Sequence, residues 1–325
     1  MKTLHTLAQI QVAAMSVLLM ATAAQSQTAG GTVKILVGFP AGGAPDAVAR
    51  AFADELRQTT NATVVVENKP GASGKIAIDS LLSAPADGNT IAVIPSSILV
   101  LVPQIIKVAK YDAVRDFVTL GSVAEYGFGV AAGPASKATT MAEYKAWARA
   151  NSSHSAFATP GAGTPQHFLG AQLEKALGIS LTHVPYRGGA AAVGDVIGGQ
   201  VPLLITTEQL LVPHEGQGKL KTLLITSKER NPKLPNVPTA REAGMPQLES
   251  VDWFGLFGKA GMAPAKAAQW RAQVDKVLAS NRYREAMKNM GYTVPAKQPD
   301  DFPKLLASER AAWADRVKLS GFAAE

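Results

Sequence analysis

Three glycine-containing turns, each between a predicted strand and a predicted helix, have the composition of anion-binding sites. The first is Phe39-Pro-Ala-Gly-Gly-Ala-Pro-Asp46, which precedes a helical pattern. The first N–H groups of a helix have no acceptor within the helix and carry partial positive charge, so they attract carboxylates. Glycine lets a ligand approach the backbone closely, and Pro45 fits a first helical position. The alternative is an ordinary strand-to-helix turn.

Asp46 is the only acidic residue of this first turn. A carboxylate in the first turn of a helix itself stabilises the positive helix end. The sequence therefore leaves two roles open for Asp46, namely fixing the helix start or contacting a ligand or a water molecule.

The second turn, Ala158-Thr-Pro-Gly-Ala-Gly-Thr164, repeats the pattern. Thr164 is predicted to be the N-cap and Pro165 the first helical residue, and we expect Gly161 and Gly163 to expose their N–H groups. His167 falls at the third helical position, where it either donates to a ligand or fills an interface. Two helix ends of this kind predict a cleft between them.

The third turn, Val184-Pro-Tyr-Arg-Gly-Gly189, also opens a helical pattern. Its Arg187 is the only basic side chain in the three turns. A guanidinium group can bind a carboxylate through two hydrogen bonds, so Arg187 is a candidate ligand contact. A surface arginine beside Tyr186 is the alternative.

Sequence signatures of catalysis and metal binding are missing. There is no G-x-S-x-G or H-E-x-x-H pattern, the five histidines are dispersed, and the chain has no cysteine. We therefore expect no catalytic residue, no metal, no cofactor and no enzyme activity. The 32 basic and 25 acidic residues give a net charge of +7, but the basic residues form no run that indicates nucleic-acid binding.

Residues 1–26 are predicted to form a signal peptide. Lys2 precedes an apolar stretch over 7–24 that is short for a membrane helix, and small residues lead to a polar segment. Cleavage is expected between Ala23 and Gln27. We therefore predict a periplasmic protein that does not insert into the membrane.

The turns are placed by two series of alternating strands and helices, a pattern typical of α/β lobes with parallel sheets. At 325 residues the chain is longer than one hydrophobic core usually organises, about 250–300 residues. We predict a first domain from 31–124 and 251–325 and a second domain from 125–250. Because the helical C-terminal segment lacks a sheet of its own, it is expected to pack on the first lobe, which makes two crossings and a hinge.

With these motifs in place, the chain resembles the Bug/TctC family, the extracytoplasmic solute receptors of tripartite tricarboxylate transporters. The resemblance runs from end to end. It rests above all on Phe39-Pro-Ala-Gly-Gly-x-x-Asp46, Val66-Glu-Asn-Lys-Pro-Gly71, His183-Val-Pro-Tyr-Arg-Gly188, Asn236-Val-Pro-Thr239 and Trp253-Phe-Gly255.

The resemblance implies a two-domain periplasmic-binding-protein fold of the Venus flytrap type II class, with a ligand cleft between α/β lobes. Carried over by position, the first-turn contacts are Phe39, Ala41, Gly42, Gly43 and Asp46, and the second-turn contacts are Thr159, Gly161, Gly163 and Thr164. Where the family pattern has a further aspartate, this chain has Thr206, and we expect Thr206 and Thr207 to border the cleft. Loss of that carboxylate disfavours ligands with an amine.

The resemblance also implies a function, the capture of a small di- or tricarboxylate or aromatic acid for a tripartite tricarboxylate-type transporter. The expected partners are the ligand and the membrane subunits of the transporter, and a monomer is expected. The alternative is an adaptor that senses the ligand for a membrane sensor kinase.

Overall fold

The computed structural model describes residues 31–60, 62–320 and 322. The predicted signal peptide lies outside these residues. The strands are β1 Thr32–Val37, β2 Thr63–Asn68, β3 Thr90–Pro95, β4 Phe117–Ala132, β5 Ala156–Thr159, β6 Thr182–Pro185, β7 Leu203–Thr207, β8 Lys221–Ile225 and β9 Val251–Lys259. The helices are α1 Ala44–Thr59, α2 Lys75–Ser83, α3 Ser96–Ile105, α4 Met141–Ala150, α5 Pro165–Leu177, α6 Gly189–Ile197, α7 Glu208–Gly216, α8 Pro264–Ala279, α9 Asn281–Met290 and α10 Phe302–Ser320.

The strands form a sheet in the order β2-β1-β3-β9-β4-β7-β5-β6, and β8 also pairs with β4. Within the first lobe β1 is parallel to β2 and β3, and within the second lobe β5 is parallel to β6 and β7. The predicted α/β class with parallel strands is confirmed.

The long strand β4 belongs to both lobes. Its part from Phe117 to Gly127 pairs with β9 of the first lobe, and its part from Phe128 to Ala132 pairs with β7 and β8 of the second lobe. The chain returns to the first lobe as β9 begins at Val251. The C-terminal helices α8 and α10 pack on β4 and α3, and α10 also reaches α5 of the second lobe.

Helix α1 illustrates how the sequence positions a lobe. Val48, Phe52 and Leu56 repeat at helical spacing and are all buried against the sheet. Pro45 stands in the first turn, where a missing N–H leaves no helical hydrogen bond unmade. The helix begins at Ala44, with Gly43 as its N-cap, after the turn that follows β1.

Helix α5 packs closely on β5 because Gly170, at the point of contact, has no side chain. A Cβ atom at Gly170 would lie 2.1 Å from Cε2 of Phe157. In contrast, a Cβ atom at Gly194 in α6 would meet nothing within 4 Å. These two helical glycines thus serve different purposes, and only the first is required by packing.

We expect Gly170→Ala to lower the free energy of unfolding by about 1–3 kcal/mol, because the added methyl group overpacks against Phe157. Gly194→Ala should raise it by about 0.5–1 kcal/mol, because alanine is the better helix former and the position is open. Urea denaturation of both variants measures the difference. Equal effects of the two substitutions would contradict this packing of α5 on β5.

Candidate functional site

A cavity lies between the two lobes. Its walls come from the first lobe, the second lobe and the strands that join them: Phe39, Gly43, Ala44, Pro45, Pro95, Ser97 and Ile98, then Pro160, Thr164, Pro165, Gln166, Gly189, Thr206, Thr207 and Leu210, and finally Tyr126 and Phe254. None of these wall residues has a charged side chain. The cavity is therefore an uncharged space enclosed by both lobes.

Five helices begin in this wall. They are α1, α3, α5, α6 and α7, and each contributes its first residues or its N-cap to the cavity surface. Each helix N-terminus carries partial positive charge on N–H groups that have no acceptor within the helix. The helix ends therefore contribute partial positive charge to a cavity wall that has no cationic side chain.

The first turn is fixed by Asp46. Its carboxylate accepts hydrogen bonds from the Gly42 N–H (3.0 Å), Arg50 Nε (2.9 Å) and Asn68 Nδ2 (2.8 Å). Burial alone would raise the pKa of Asp46, but these hydrogen bonds lower it below its usual range and keep the group ionised. The carboxylate is thus engaged within the protein, and its contacts are those of a residue that shapes the turn.

The two glycines of the second turn donate their N–H groups within the turn itself. The Gly163 N–H donates to His167 Nδ1 (3.2 Å), and the Gly161 N–H donates to Thr159 Oγ1 (3.4 Å). The expectation that Gly161 and Gly163 expose these groups is therefore wrong, because the turn uses both to hold its own shape. Thr164 Oγ1 adds a further bond to the Gly161 carbonyl (2.8 Å).

Gly163 instead allows the lobes to approach each other. It has a φ of +68°, and a Cβ atom there would lie 2.3 Å from Cδ1 of Ile105 in α3. Ser73 Oγ of the first lobe also donates to the Ala162 carbonyl of the second. The lobes are in contact, and the cavity between them has a volume of about 40 Å³.

Comparison with known proteins places the chain in a family. Residues 48–321 match the model of the tripartite tricarboxylate transporter family receptor, TctC. The chain belongs to this family. It is thus a solute-binding receptor, and the predicted Bug/TctC membership is confirmed.

Three solved structures are similar to this receptor. The periplasmic binding protein BugD is 29% identical, with a TM-score of 0.85 over 90% of this chain and 98% of that one. MatC from Rhodopseudomonas palustris with bound malate is 28% identical, with a TM-score of 0.81 over 88% and 99%. R. palustris Rpa4515 with adipate is 25% identical, with a TM-score of 0.86 over 91% and 99%. The predicted two-lobe periplasmic-binding-protein fold is confirmed.

The structure places the thirteen candidate ligand contacts in two groups. Phe39, Gly43, Thr164, Thr206 and Thr207 line the cavity of this TctC receptor. The others lie in or near the same turns but outside the wall: Ala41, Gly42, Asp46, Thr159, Gly161, Gly163, His167 and Arg187. Arg187 is exposed, whereas Gly189 of its turn reaches the cavity. The ligand roles of all thirteen stay predictions.

Thr206 and Thr207 differ from the other polar residues of the wall. Both are buried, and neither Oγ1 atom has a hydrogen-bond partner in the described part of the chain. Thr207 is the N-cap of α7, yet its side chain accepts no hydrogen bond from the helix. Because both hydroxyls belong to residues of the cavity wall and are unpartnered there, they are candidates for ligand contact.

Tyr126 and Phe254 were not anticipated from the sequence. Their rings stack at 4.3 Å in adjacent strands, and the Tyr126 hydroxyl donates to Asp252 (2.8 Å). Asp252 also accepts from Ser96 Oγ (2.9 Å) and from the N–H of Ser97 (3.3 Å). One buried carboxylate thus joins both crossing strands to the start of α3. No local pattern marks such a contact, because its members are far apart in the sequence.

Two stacked histidines support the second turn from behind. The rings of His167 and His183 lie 3.8 Å apart at 15°, and His183 Nε2 is 2.6 Å from Thr159 Oγ1. Burial, and then the neighbouring His167, lowers the pKa of His183 to about 3. His183 therefore stays neutral in the folded protein at physiological pH.

Within the described residues, no group of three or more His, Cys, Asp or Glu side chains is arranged to hold a metal ion. In the same part of the chain, no helix combines the length and the apolar character that a membrane span needs.

The His183 environment predicts how stability depends on pH. Its pKa is lower in the folded protein than in the unfolded chain, where it is near 6.5, so the unfolded state binds the proton first as pH falls. Stability from this group is fully present above about pH 6.5 and declines toward pH 3. We expect a loss of about 1 kcal/mol between pH 6.5 and 5, reduced by partial exposure of the ring.

Urea denaturation across this pH range tests the effect. His183→Gln should flatten the decline, whereas His154→Gln, at an exposed ring, should leave it unchanged. A decline of the same slope in wild type and His183→Gln would exclude this origin.

Proposed function

We propose that this receptor captures a small carboxylate between its lobes for a tripartite tricarboxylate-type transporter. The observation that carries the proposal is the convergence of five helix N-termini on one uncharged cavity. Two structural relatives, with malate and with adipate, hold carboxylates.

The electrostatics of the cavity favour an anion over a neutral solute or a cation. Helix N-termini stabilise negative charge through their N–H groups, and an apolar surrounding screens that interaction less than water does. Gln166 of α5 and Gly189 of α6 lie in the wall at first-turn positions, and neither helix has an acidic residue in its first turn. We place the carboxylate at these two helix ends of the second lobe, where their N–H groups can donate to it.

Capture requires the lobes to separate and close. The contacts of Ser73 with Ala162 and of Gly163 with Ile105 bring the two lobes together over the cavity. A ligand that binds the closed form more tightly than the open form shifts the population toward closure. We further propose that the acid is released unchanged, since no nucleophile and base are paired in the cavity wall.

The proposed function predicts ligand-dependent thermal stability. A cognate carboxylate at 100 times its Kd should stabilise the protein by about 2.7 kcal/mol. For a chain of this size the melting temperature should rise by about 5–10 °C. A thermal-shift screen of aliphatic and aromatic carboxylates, with amines and sugars of matched size as controls, measures it. A screen in which no carboxylate shifts the melting temperature would contradict the proposal.

Thr207→Asp should abolish carboxylate binding, because the cavity wall gains a negative charge that repels the ligand. A carboxylate at this buried position also lowers the free energy of unfolding, so circular dichroism accompanies the binding measurement and identifies the folded fraction. We expect the affinity measured by calorimetry to fall at least 100-fold. Thr140→Asp is the matched control, because Thr140 is the N-cap of α4 and lies outside the cavity wall. Unchanged affinity in Thr207→Asp would exclude this cavity as the site.

We also propose that the receptor is exported and acts in the periplasm, which rests on the N-terminal sequence and on the periplasmic relatives. The protein recovered from a periplasmic extract should begin between Ala24 and Gln27. Intact-mass spectrometry measures this, and the cytoplasmic fraction serves as the control. A full-length mass confined to the cytoplasm would overturn the proposal.

A further inference from the structure

We infer that the ligand of this cavity is a monocarboxylate with an apolar body and one neutral hydrogen-bonding group, and that Thr206 and Thr207 select for that group. This inference rests on the proposed function and narrows it. It differs from the malate and adipate of the structural relatives, each of which carries two carboxylates.

Three of the five helix ends at the cavity are already neutralised by carboxylates of the protein. Asp46 lies in the first turn of α1, Glu208 lies in the first turn of α7, and Asp252 accepts from the first-turn N–H of Ser97 in α3. All three are buried. Helices α5 and α6 have no acidic residue in the first turn. The positive charge left for a ligand thus comes from two helix ends of one lobe.

A second carboxylate on the ligand would have no counter-charge. The wall holds no cationic side chain, and the buried Asp252 and Glu208 stand directly behind wall residues Ser97 and Thr207. The cation that interacts with Asp252, Arg316, lies outside the wall, and the hydrogen-bond donors to Glu208 in the described part of the chain, Ser227 and Asn231, are neutral. Since a buried charge is destabilising unless it is paired, the cavity favours one negative charge over two.

An ammonium group on the ligand has no acceptor of opposite charge either. The Asp252 carboxylate accepts from Ser96, Ser97 and Tyr126, and the Glu208 carboxylate accepts from Ser227 and Asn231. These carboxylates are satisfied within the protein and lie outside the wall. Amino acids are therefore disfavoured as ligands.

The unpartnered hydroxyl groups of Thr206 and Thr207 indicate which chemical group the ligand carries besides its carboxylate. Thr206 is fully buried and Thr207 is 5% exposed, and both Oγ1 atoms lack a hydrogen-bond partner among the described residues. A hydroxyl can donate and accept, so it pairs with a neutral hydroxyl or carbonyl group without requiring a charge. Leaving such groups unpaired is destabilising, so a ligand that satisfies them gains affinity over one that does not.

The remaining surface is apolar. Phe39, Ile98, Phe254 and Leu210 line the cavity around the polar residues. Burying a hydrocarbon or aromatic body against them is favourable through the hydrophobic effect.

The experiment compares matched ligands by isothermal titration calorimetry. One series is butyrate and its derivatives with a hydroxyl, an ammonium or a carboxylate group at C4: 4-hydroxybutyrate, 4-aminobutyrate and glutarate. The other has a single ring: benzoate, 4-hydroxybenzoate, 4-(aminomethyl)benzoate and terephthalate. In the series that binds, we expect the hydroxy acid to bind about fivefold to tenfold more tightly than the parent acid. The diacid and the ammonium acid should bind at least tenfold more weakly than the parent acid.

Two variants assign the selection to the threonines. Thr206→Val and Thr207→Val keep the side-chain shape and remove the hydroxyl, so each should reduce the ratio of the affinities for the hydroxy acid and the parent acid. Thr222→Val is the control, because Thr222 has a buried hydroxyl without a partner but lies outside the cavity wall. Thr222→Val should retain the full preference.

The outcomes separate this inference from the proposed function. If the diacid or the ammonium acid binds as tightly as the hydroxy acid, the inference is overturned and the carboxylate receptor stands. An unchanged preference in both threonine variants would also overturn it. If no acid of either series binds, and none binds in the thermal-shift screen, both proposals fail.

Discussion

The site depends on one constraint of topology, the direction of the parallel strands in each lobe. Strands β1 and β3 of the first lobe and β5, β6 and β7 of the second all end at the cavity, and each leads directly into a helix. A helix that follows a parallel strand must begin at the carboxyl edge of the sheet. When two such edges face each other, the helix N-termini of both lobes are brought to one place without any cationic side chain.

This accumulation of partial positive charge has to be balanced, and the protein balances most of it internally. Asp46, Asp252 and Glu208 each lie at one of the helix starts, and each is held by neutral or cationic donors. Their partners also fix geometry, since Asp46 shapes the first turn and Asp252 ties Tyr126 of β4 to α3. The same carboxylates thus set the charge of the cavity and the positions of its walls.

Much of this arrangement is readable in the sequence, because it depends on local patterns. Alternating strand and helix patterns predict the two lobes. Glycine and proline after the strands predict where α1 and α5 begin. The direction of an individual N–H group depends on the three-dimensional shape of its turn, which a local sequence pattern does not reveal. Gly163 donates to His167 because the turn closes on itself, and its missing Cβ serves the approach of Ile105 from the other lobe.

The wall residues that were not predicted from the sequence also depend on contacts between distant parts of the chain. Tyr126 and Phe254 are about 130 residues apart and meet because β4 pairs with β9 in an antiparallel register. Gly121, Gly127 and Gly129 interrupt the apolar pattern of β4, so its length is obscured in the sequence. Asp252 follows a loop and gives no sign that Ser96 and Ser97 will donate to it.

Closure and selectivity follow from the same two hydroxyl groups. In the closed arrangement Thr206 and Thr207 are buried, and an unsatisfied buried hydroxyl is destabilising by about 1–3 kcal/mol. In an open arrangement water can satisfy both. A solute that pairs with them removes the penalty only in the closed form, and that difference in affinity is what shifts the population. The residues that recognise the neutral end of the ligand therefore also make closure depend on it.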